Sequence, residues 1–345
     1  MSASIEFLQS KKSQGEPSNK GGMTMKEHLE LRYKLFTRKY ANSTGVKQVL
    51  IRVVMYLLLL GLAFVFLYPF LYMAANSLMS NSDLNSSSVS WLPTEIKFEN
   101  YAIATQLIDG TKFAWNSLVV TIAASFGHII ACSFIGYGFA RYHFPMKNLL
   151  FAFVILSFIV PTQTIIIPLY LTYSNLKWLD TFTPLILPTF FGFGLRGALY
   201  IFLFRQFFLT VPKSLEEAAR IDGCGFMKTY WKIVFPLAKA TLVVALVLSV
   251  VWHWNDSYEP GLYITSTSKA FLPPRLNAII AAASALPDQQ QEMLRNLGLQ
   301  DGEDTLNNAV VMAGAMIISA PVLLFFAFAQ RQFMQGIERS GITGE

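Results

Sequence analysis

Six long runs that are almost free of charged side chains constrain this chain more than any motif it contains. They are Val53–Ala75, Phe113–Ala140, Asn148–Tyr173, Thr181–Phe204, Ala240–Asn255 and Leu306–Ala329, and the fourth carries one charge, Arg196. An α-helix needs about 20 apolar residues to cross a hydrocarbon core of about 30 Å. The fifth run is short unless it borrows Leu237 and Ala238 from ahead of Lys239. Charged residues make up only 14% of the 345 positions, where a soluble domain carries about 25%. Within lipid every backbone N–H and C=O must be satisfied internally, so such runs are helices. The alternating segments of about ten residues that mark a transmembrane barrel are missing from the sequence. The expected fold is an all-α integral membrane protein with six transmembrane helices in one domain over residues 51–330, flanked by tails at 1–50 and 331–345.

Orientation follows from basic residues. If the N-terminus is inside, 20 of the 27 Lys and Arg fall in inner segments, and 12 of the 21 acidic residues fall outside. Both termini are therefore expected to be cytoplasmic. The net charge of +6 reflects this bias, and no base-reading motif accompanies it, so nucleic acid is not an expected partner. The polar first 50 residues argue against reading the first run as a cleaved signal peptide. Residues 26–40 mix Leu29, Leu31, Leu35 and Phe36 with Lys34, Arg38 and Lys39. They fit either a basic amphipathic helix on the inner membrane surface or a solvated tail. Cys132 and Cys224 fall in different compartments, so no disulfide or metal spacing is expected.

Two outer segments are long, 80–112 and 259–305; the second holds a short polar helix predicted over 288–299. Pro69, Pro161, Pro168, Pro188 and Pro321 lie within the runs and predict bent or interrupted helices enclosing a cavity. Ala123, Gly127, Ala131, Gly136 and Ala140 allow close helix approach in the second run.

The inner loop 212–236 is the most informative segment. Ser214 followed by Glu217 has the spacing of a capping box, Gly223 can supply a left-handed stop, and a second helix is predicted over 226–235. Pro236 is placed to open the fifth span. Leu215, Ala218, Ala219 and Ile221 give the first of these helices an apolar surface with no evident cover in its own chain. The loop is either a tidy connector or a knob for a partner's cleft.

Glu217-Ala218-Ala219, then Gly223 after three residues, then Ile233-Val234-Phe235-Pro236 after nine more resembles the signature loop of permease subunits of binding-protein-dependent ABC importers. Phe235 stands where that pattern has Leu. Trp91-Leu92-Pro93, Arg205-Gln206-Phe207-Phe208, Trp254-Asn255-Asp256 and Met312-Ala313-Gly314-Ala315 are similar to the maltose-type carbohydrate branch. The tail from Gln330 resembles that branch's second permease, although its ending at Ser340–Glu345 departs from the usual close. The resemblance spans about residues 50–345, apart from 283–305. It implies a type I importer permease fold, a second permease subunit, two ATPase subunits, an external solute-binding protein and a sugar substrate. ATP and Mg would be bound by the ATPase, since this chain has no Gly-rich Lys-Ser/Thr phosphate loop and no cofactor of its own is implied. The same resemblance assigns ATPase coupling to Ser214, Leu215, Glu217, Ala218, Ala219, Asp222, Gly223, Ile233 and Pro236. Glu217 would pair with a basic residue of the ATPase, and the tail around Arg331 and Phe333 would reach the ATPase dimer.

For a substrate path the candidates are Gln163, Arg196, Trp254, Asn255 and Tyr258. Residues 252–258 combine aromatic faces with amide and hydroxyl groups, as sugar sites do, and equally suit an interfacial aromatic belt; His253 reads as structural. Arg196 either binds an acidic sugar or phosphate or pairs structurally, because a charge inside a span must face a cavity, a partner or an interface. Alternative cargoes are a glycerophosphate or polyol. An ATP-independent secondary transporter fits less well, since the first three runs and the sixth lack carboxylates.

Overall fold

A computed structural model describes residues 43–86, 91–194, 196–284 and 307–342, and among these there is no β-strand. The chain divides into two compact units, residues 1–69 and 70–345, with the division inside helix α1, Ser43–Asn76. In the first unit the α1 side chains from Lys47 to Leu67 are all exposed, including Leu57, Leu60 and Phe66. A helix apolar on every face is suited to hydrocarbon, not water.

The second unit is built around α3, Gly110–Arg141, which follows the short α2, Glu99–Leu107. It packs on α6, Gly197–Thr210, and on α8, Lys239–Asn255, while α8 and α10, Leu272–Ala283, both pack on α11, Asn308–Ile342. The small residues of α3 make this closeness possible. A Cβ on Gly136 would fall 2.7 Å from Phe204 Cβ and 2.9 Å from the Arg205 backbone nitrogen. The expected helix-approach role of that position is therefore met in the backbone itself.

The third run is bent, not straight. Helices α4, Lys147–Ile159, and α5, Thr162–Asn175, meet at 100° around Val160-Pro161. Pro161 removes a donor and clashes with a continuing helix. The segment Phe226–Leu237 meets α8 at 78°, and the break is at Ala238, two residues beyond Pro236. The fifth span therefore does not borrow Leu237 and Ala238 in line.

The fourth run, which holds Pro188, is not one continuous helix. It forms a turn of helix at Thr183–Ile186 and a 3₁₀ segment at Leu187–Phe191, and α6 starts only at Gly197. Between them Gly192, Gly194 and Arg196 have φ of 72°, 119° and 62°, which no right-handed helix can contain. With 14 residues, α6 is about 21 Å long. Three described helices are long and apolar enough to cross a membrane, or five spans if each bent pair counts as one. The last helix also runs on without a break at residue 330, carrying Arg331 and Phe333 as far as Ile342.

Outside the spans, polar side chains order the excursions. Ser80 Oγ caps Asn81–Leu84 by accepting from Asp83 N at 3.1 Å. Asp83 in turn accepts from the Thr94 hydroxyl at 2.6 Å and backbone at 3.2 Å. These bonds, led by the Thr94 hydroxyl, hold the Asp83 carboxyl below its usual pKa. Asp180 ties the loop after α5 to the segment beyond α8, accepting from Ser266 Oγ at 2.5 Å, Ser266 N at 2.8 Å and Lys269 Nζ at 3.1 Å. With Ser266 as the main cause, its carboxyl lies well below the usual carboxylate range. The helices predicted over 26–40 and 288–299 lie outside the described residues.

Gly136→Ala should cost about 1–3 kcal/mol through overpacking. Gly138→Ala, where an added Cβ meets nothing within 4 Å, should stay within about 0.5 kcal/mol of the parent. Thermal denaturation of the two purified variants checks the contrast.

Candidate functional site

The loop 212–236 forms α7, Lys213–Ile221. Its N-cap is Pro212, with φ −60° and ψ 132°, and no side chain caps it. The expected Ser214–Glu217 capping box is thus not formed. Pro212 takes the cap position, so Ser214 is already inside the helix and cannot reach back to an orphan N–H. The C-terminus behaves as predicted. Gly223 has φ 76°, its N–H donates to Arg220 O at 3.0 Å and Cys224 N–H donates to Ala219 O at 2.8 Å, the paired bonds of a Schellman motif.

Burial separates the two adjacent glutamates. Glu216 and Ala219, three positions apart, face inward and are buried, while Ser214, Glu217, Ala218 and Asp222 are exposed. Leu215 is 41% and Ile221 87% exposed. The outward apolar surface is therefore Leu215, Ala218 and Ile221; Ala219 is excluded because it packs against the body of the protein. Glu216 is the residue that sequence reasoning passed over. Its Oε1 lies 2.7 Å from Arg141 Nε, with the two side chains only 7% and 5% exposed. Tyr137 OH donates to Glu216 Oε2 at 3.3 Å, and Arg141 Nη2 donates to the Val211 carbonyl. Tyr137 and Arg141 occupy the last turns of α3, so this pair fastens α7 to the end of the central helix. Arg141 is also a cation at a helix C-terminus, where the dipole favours it. The i, i+3 spacing of Glu216 and Ala219 was available as a signal, but nothing in the sequence said which face turned inward.

Beyond Gly223 the predicted helix 226–235 is a single helical turn, Phe226–Thr229, followed by a π-helical segment, Tyr230–Val234. Tyr230 is fully buried, bonded to Ser133 Oγ at 2.7 Å, and its ring contacts Phe134 and Tyr137. Ile233 is half-buried and Pro236 exposed. A π turn shifts register by one residue, and here it accompanies burial of the Tyr230 ring.

On the other side a cavity of about 800 Å³ opens between α4, α5, the Gly192–Ala198 stretch and the end of α8. It brings together Gln163, Arg196, Asn255 and Tyr258. Trp254 is not among its walls. That side chain is 4% exposed and donates from Nε1 to Ile318 O of α11 at 2.9 Å. Trp252 takes the cavity position instead, with the Arg196 guanidinium 4.3 Å from its ring and 5.6 Å from Phe158. Residues two apart on a helix point about 200° apart, so the choice between the two tryptophans depends on how α8 is rotated. Arg196 is therefore not a mid-helix charge; it sits at the break before α6. Two acids share the cavity, Asp256 and Glu259, the latter in the short helix α9, Tyr258–Tyr263. Burial, then the neighbouring Asp256, pushes Glu259 up to about 8.

Replacing Glu216 by Gln or Arg141 by Met leaves an uncompensated buried charge or donor and should cost about 3–5 kcal/mol, with the double change to apolar residues costing much less. A double-mutant cycle on thermal stability measures this. Trp254→Phe should lower stability by about 0.6–1.7 kcal/mol through the lost interhelical bond, read by the same thermal measurement.

The family model described as "Binding-protein-dependent transport system inner membrane component" matches residues 129–339. Among characterised relatives, the sn-glycerol-3-phosphate transport system permease protein UgpE of Yersinia enterocolitica is 31% identical over 223 residues, 65% of this chain and 71% of its own length. UgpE of Escherichia coli O1:K1 is 27% identical over 287 residues, covering 81% of this chain and 93% of the relative. A chain of the bacterial ABC transporter that imports the acidic polysaccharide alginate shares the fold, with a TM-score of 0.62 at 21% identity over 83% of this chain and 98% of that one. With the family match covering more than half of the sequence, this multi-pass membrane protein belongs to the inner membrane components of binding-protein-dependent transport systems.

Proposed function

We propose that this chain is the second permease subunit of an ATP-driven importer for a carbohydrate or a related polar solute. The observation that carries the reading is the geometry of α7. It is anchored to the central helix by Arg141–Glu216 and presents Leu215, Glu217, Ala218 and Ile221 outward. A helix held firmly from behind, with apolar side chains exposed in front, transmits movement from whatever seats on it. Its occupant is one subunit of a dimeric ATPase, which binds ATP and Mg; this chain carries out no chemistry itself. Glu217 meets a basic residue there, and Arg331 and Phe333 on α11 extend toward the same partner. Both termini are cytoplasmic in this arrangement.

The cavity beside α4 and α5 is this subunit's share of the translocation path. It offers an aromatic face at Trp252, amides at Gln163 and Asn255 and hydroxyls at Thr162 and Tyr258, the groups that sugars require. The second permease completes the path, and an external binding protein delivers the solute. The relatives named for sn-glycerol-3-phosphate support a cargo class of small polyhydroxylated compounds and their esters.

Because Glu217 is exposed and caps nothing, Glu217→Ala should change stability by less than about 0.5 kcal/mol. Insertion in the membrane should also be normal. ATP hydrolysis stimulated by the loaded binding protein, and solute uptake, should both fall markedly in vesicles containing equal amounts of transporter. Unchanged uptake at equal abundance would remove Glu217 from coupling, and failure to co-purify with any ATPase would remove the reading as a whole.

A further inference from the structure

The fourth apolar run contains one charge, and the fold goes out of its way to display it. Arg196 adopts a left-handed backbone, φ 62°, which a side chain with a Cβ disfavours. It stands at the N-cap of α6, reached through Gly192 and Gly194, both at positive φ. The stretch is tightly packed behind: a Cβ on Gly197 would meet the Gly192 carbonyl and lie 3.4 Å from His128 Nε2. The outcome is an exposed arginine on a cavity wall, set between the buried Gly192 and Gly197.

Among the described residues, no acceptor claims its side-chain donors. The guanidinium lies over the Trp252 ring at 4.3 Å and near Phe158 at 5.6 Å. Among the described residues it makes no ion pair. Stacking of this kind occupies the face of the guanidinium and keeps its in-plane N–H fork available. The fork matches carboxylate and phosphate oxygens two at a time. Immediately beside it the first turn of α6, Gly197-Ala198, also lines the cavity, and the positive end of a 14-residue helix favours an anion there.

The cavity's acids do not cancel this. Asp256 Oδ1 is engaged by the backbone N–H groups of Tyr258 at 2.9 Å and Glu259 at 3.3 Å. Burial and then Asp256 push the Glu259 carboxyl up to about 8, which favours its neutral form. His253, also on the wall, has Nδ1 tied to the Ser249 carbonyl at 2.8 Å.

We propose that Arg196, backed by Trp252, is the anion-selecting residue of the cavity and binds an oxyanion, carboxylate or phosphate, carried by the transported compound. This rests on the reading of the cavity as a translocation path. Gln163 and Tyr258 would then serve the hydroxyl groups of the same molecule.

The test uses the assembled transporter in lipid nanodiscs, titrated with glucuronate, glycerol 3-phosphate, glucose and glycerol. The reporter is the part of the tryptophan fluorescence that Trp252→Phe removes. We expect a saturable change with at least one of the two anions and none with the neutral compounds. A response to glucuronate alone assigns a carboxylate, and a response to glycerol 3-phosphate alone a phosphate. The midpoint should weaken by at least about tenfold in Arg196→Gln, with Arg196→Lys intermediate. Equal responses to glucose and glucuronate, no response to either anion, or an unaltered midpoint in an Arg196→Gln complex assembled to the same yield would each overturn the proposal. Assembly with an ATPase and ATP hydrolysis, measured on the same preparation, separately show whether the importer reading itself stands.

Discussion

The buried ion pair between Arg141 and Glu216 links the central helix α3 to α7, which exposes Leu215, Ala218 and Ile221. Removing two charges from water is costly, and the attraction offsets that cost only with good geometry and further hydrogen bonds. Here Tyr137 and the Val211 carbonyl supply those bonds. The consequence is mechanical. A push on α7 acts directly on the end of α3, and α3 packs against both α6 and α8. Those two helices flank the cavity, so one central helix joins the exposed face of α7 to the cavity wall.

Rigidity at one end is paired with interruption at the other. Three places where a helix breaks contribute to the cavity wall: Val160-Pro161 between α4 and α5, the Gly192–Arg196 stretch before α6, and the end of α8 before α9. Non-helical backbone at membrane depth is tolerated where it lines a cavity or is buried in protein. The interruptions and the cavity are thus one feature. Breaking a helix frees polar groups and exposes side chains such as Gln163 and Arg196 that a straight span would have to turn toward lipid.

Much of this was legible beforehand. The apolar runs gave the class, Pro161 gave the bent third span, and the spacing from Glu217 through Gly223 to Pro236 gave the inner loop and its Gly-terminated helix. Three local readings needed correction. Ser214 does not cap α7, since Pro212 occupies that position. Ala219 faces in, not out. Trp254 closes the contact with α11 and Trp252 lines the cavity. The first turned on where the helix begins; the other two share one origin, since a helical pattern gives the relative angles of side chains but leaves the rotation of the helix about its axis undetermined when both faces are apolar.

The sequence by itself determined that this chain is helical, membrane-embedded and equipped with an inner loop of fixed spacing, because hydrophobic length, charge placement and glycine and proline conformations are properties of the covalent chain. The tertiary structure decided which glutamate is buried against Arg141 and which is exposed, which tryptophan lines the cavity, and that Arg196 stands at a break instead of inside a span. Those distinctions depend on contacts between segments far apart in sequence, such as Arg141 with Glu216 and Arg196 with Trp252, and only packing brings such pairs together.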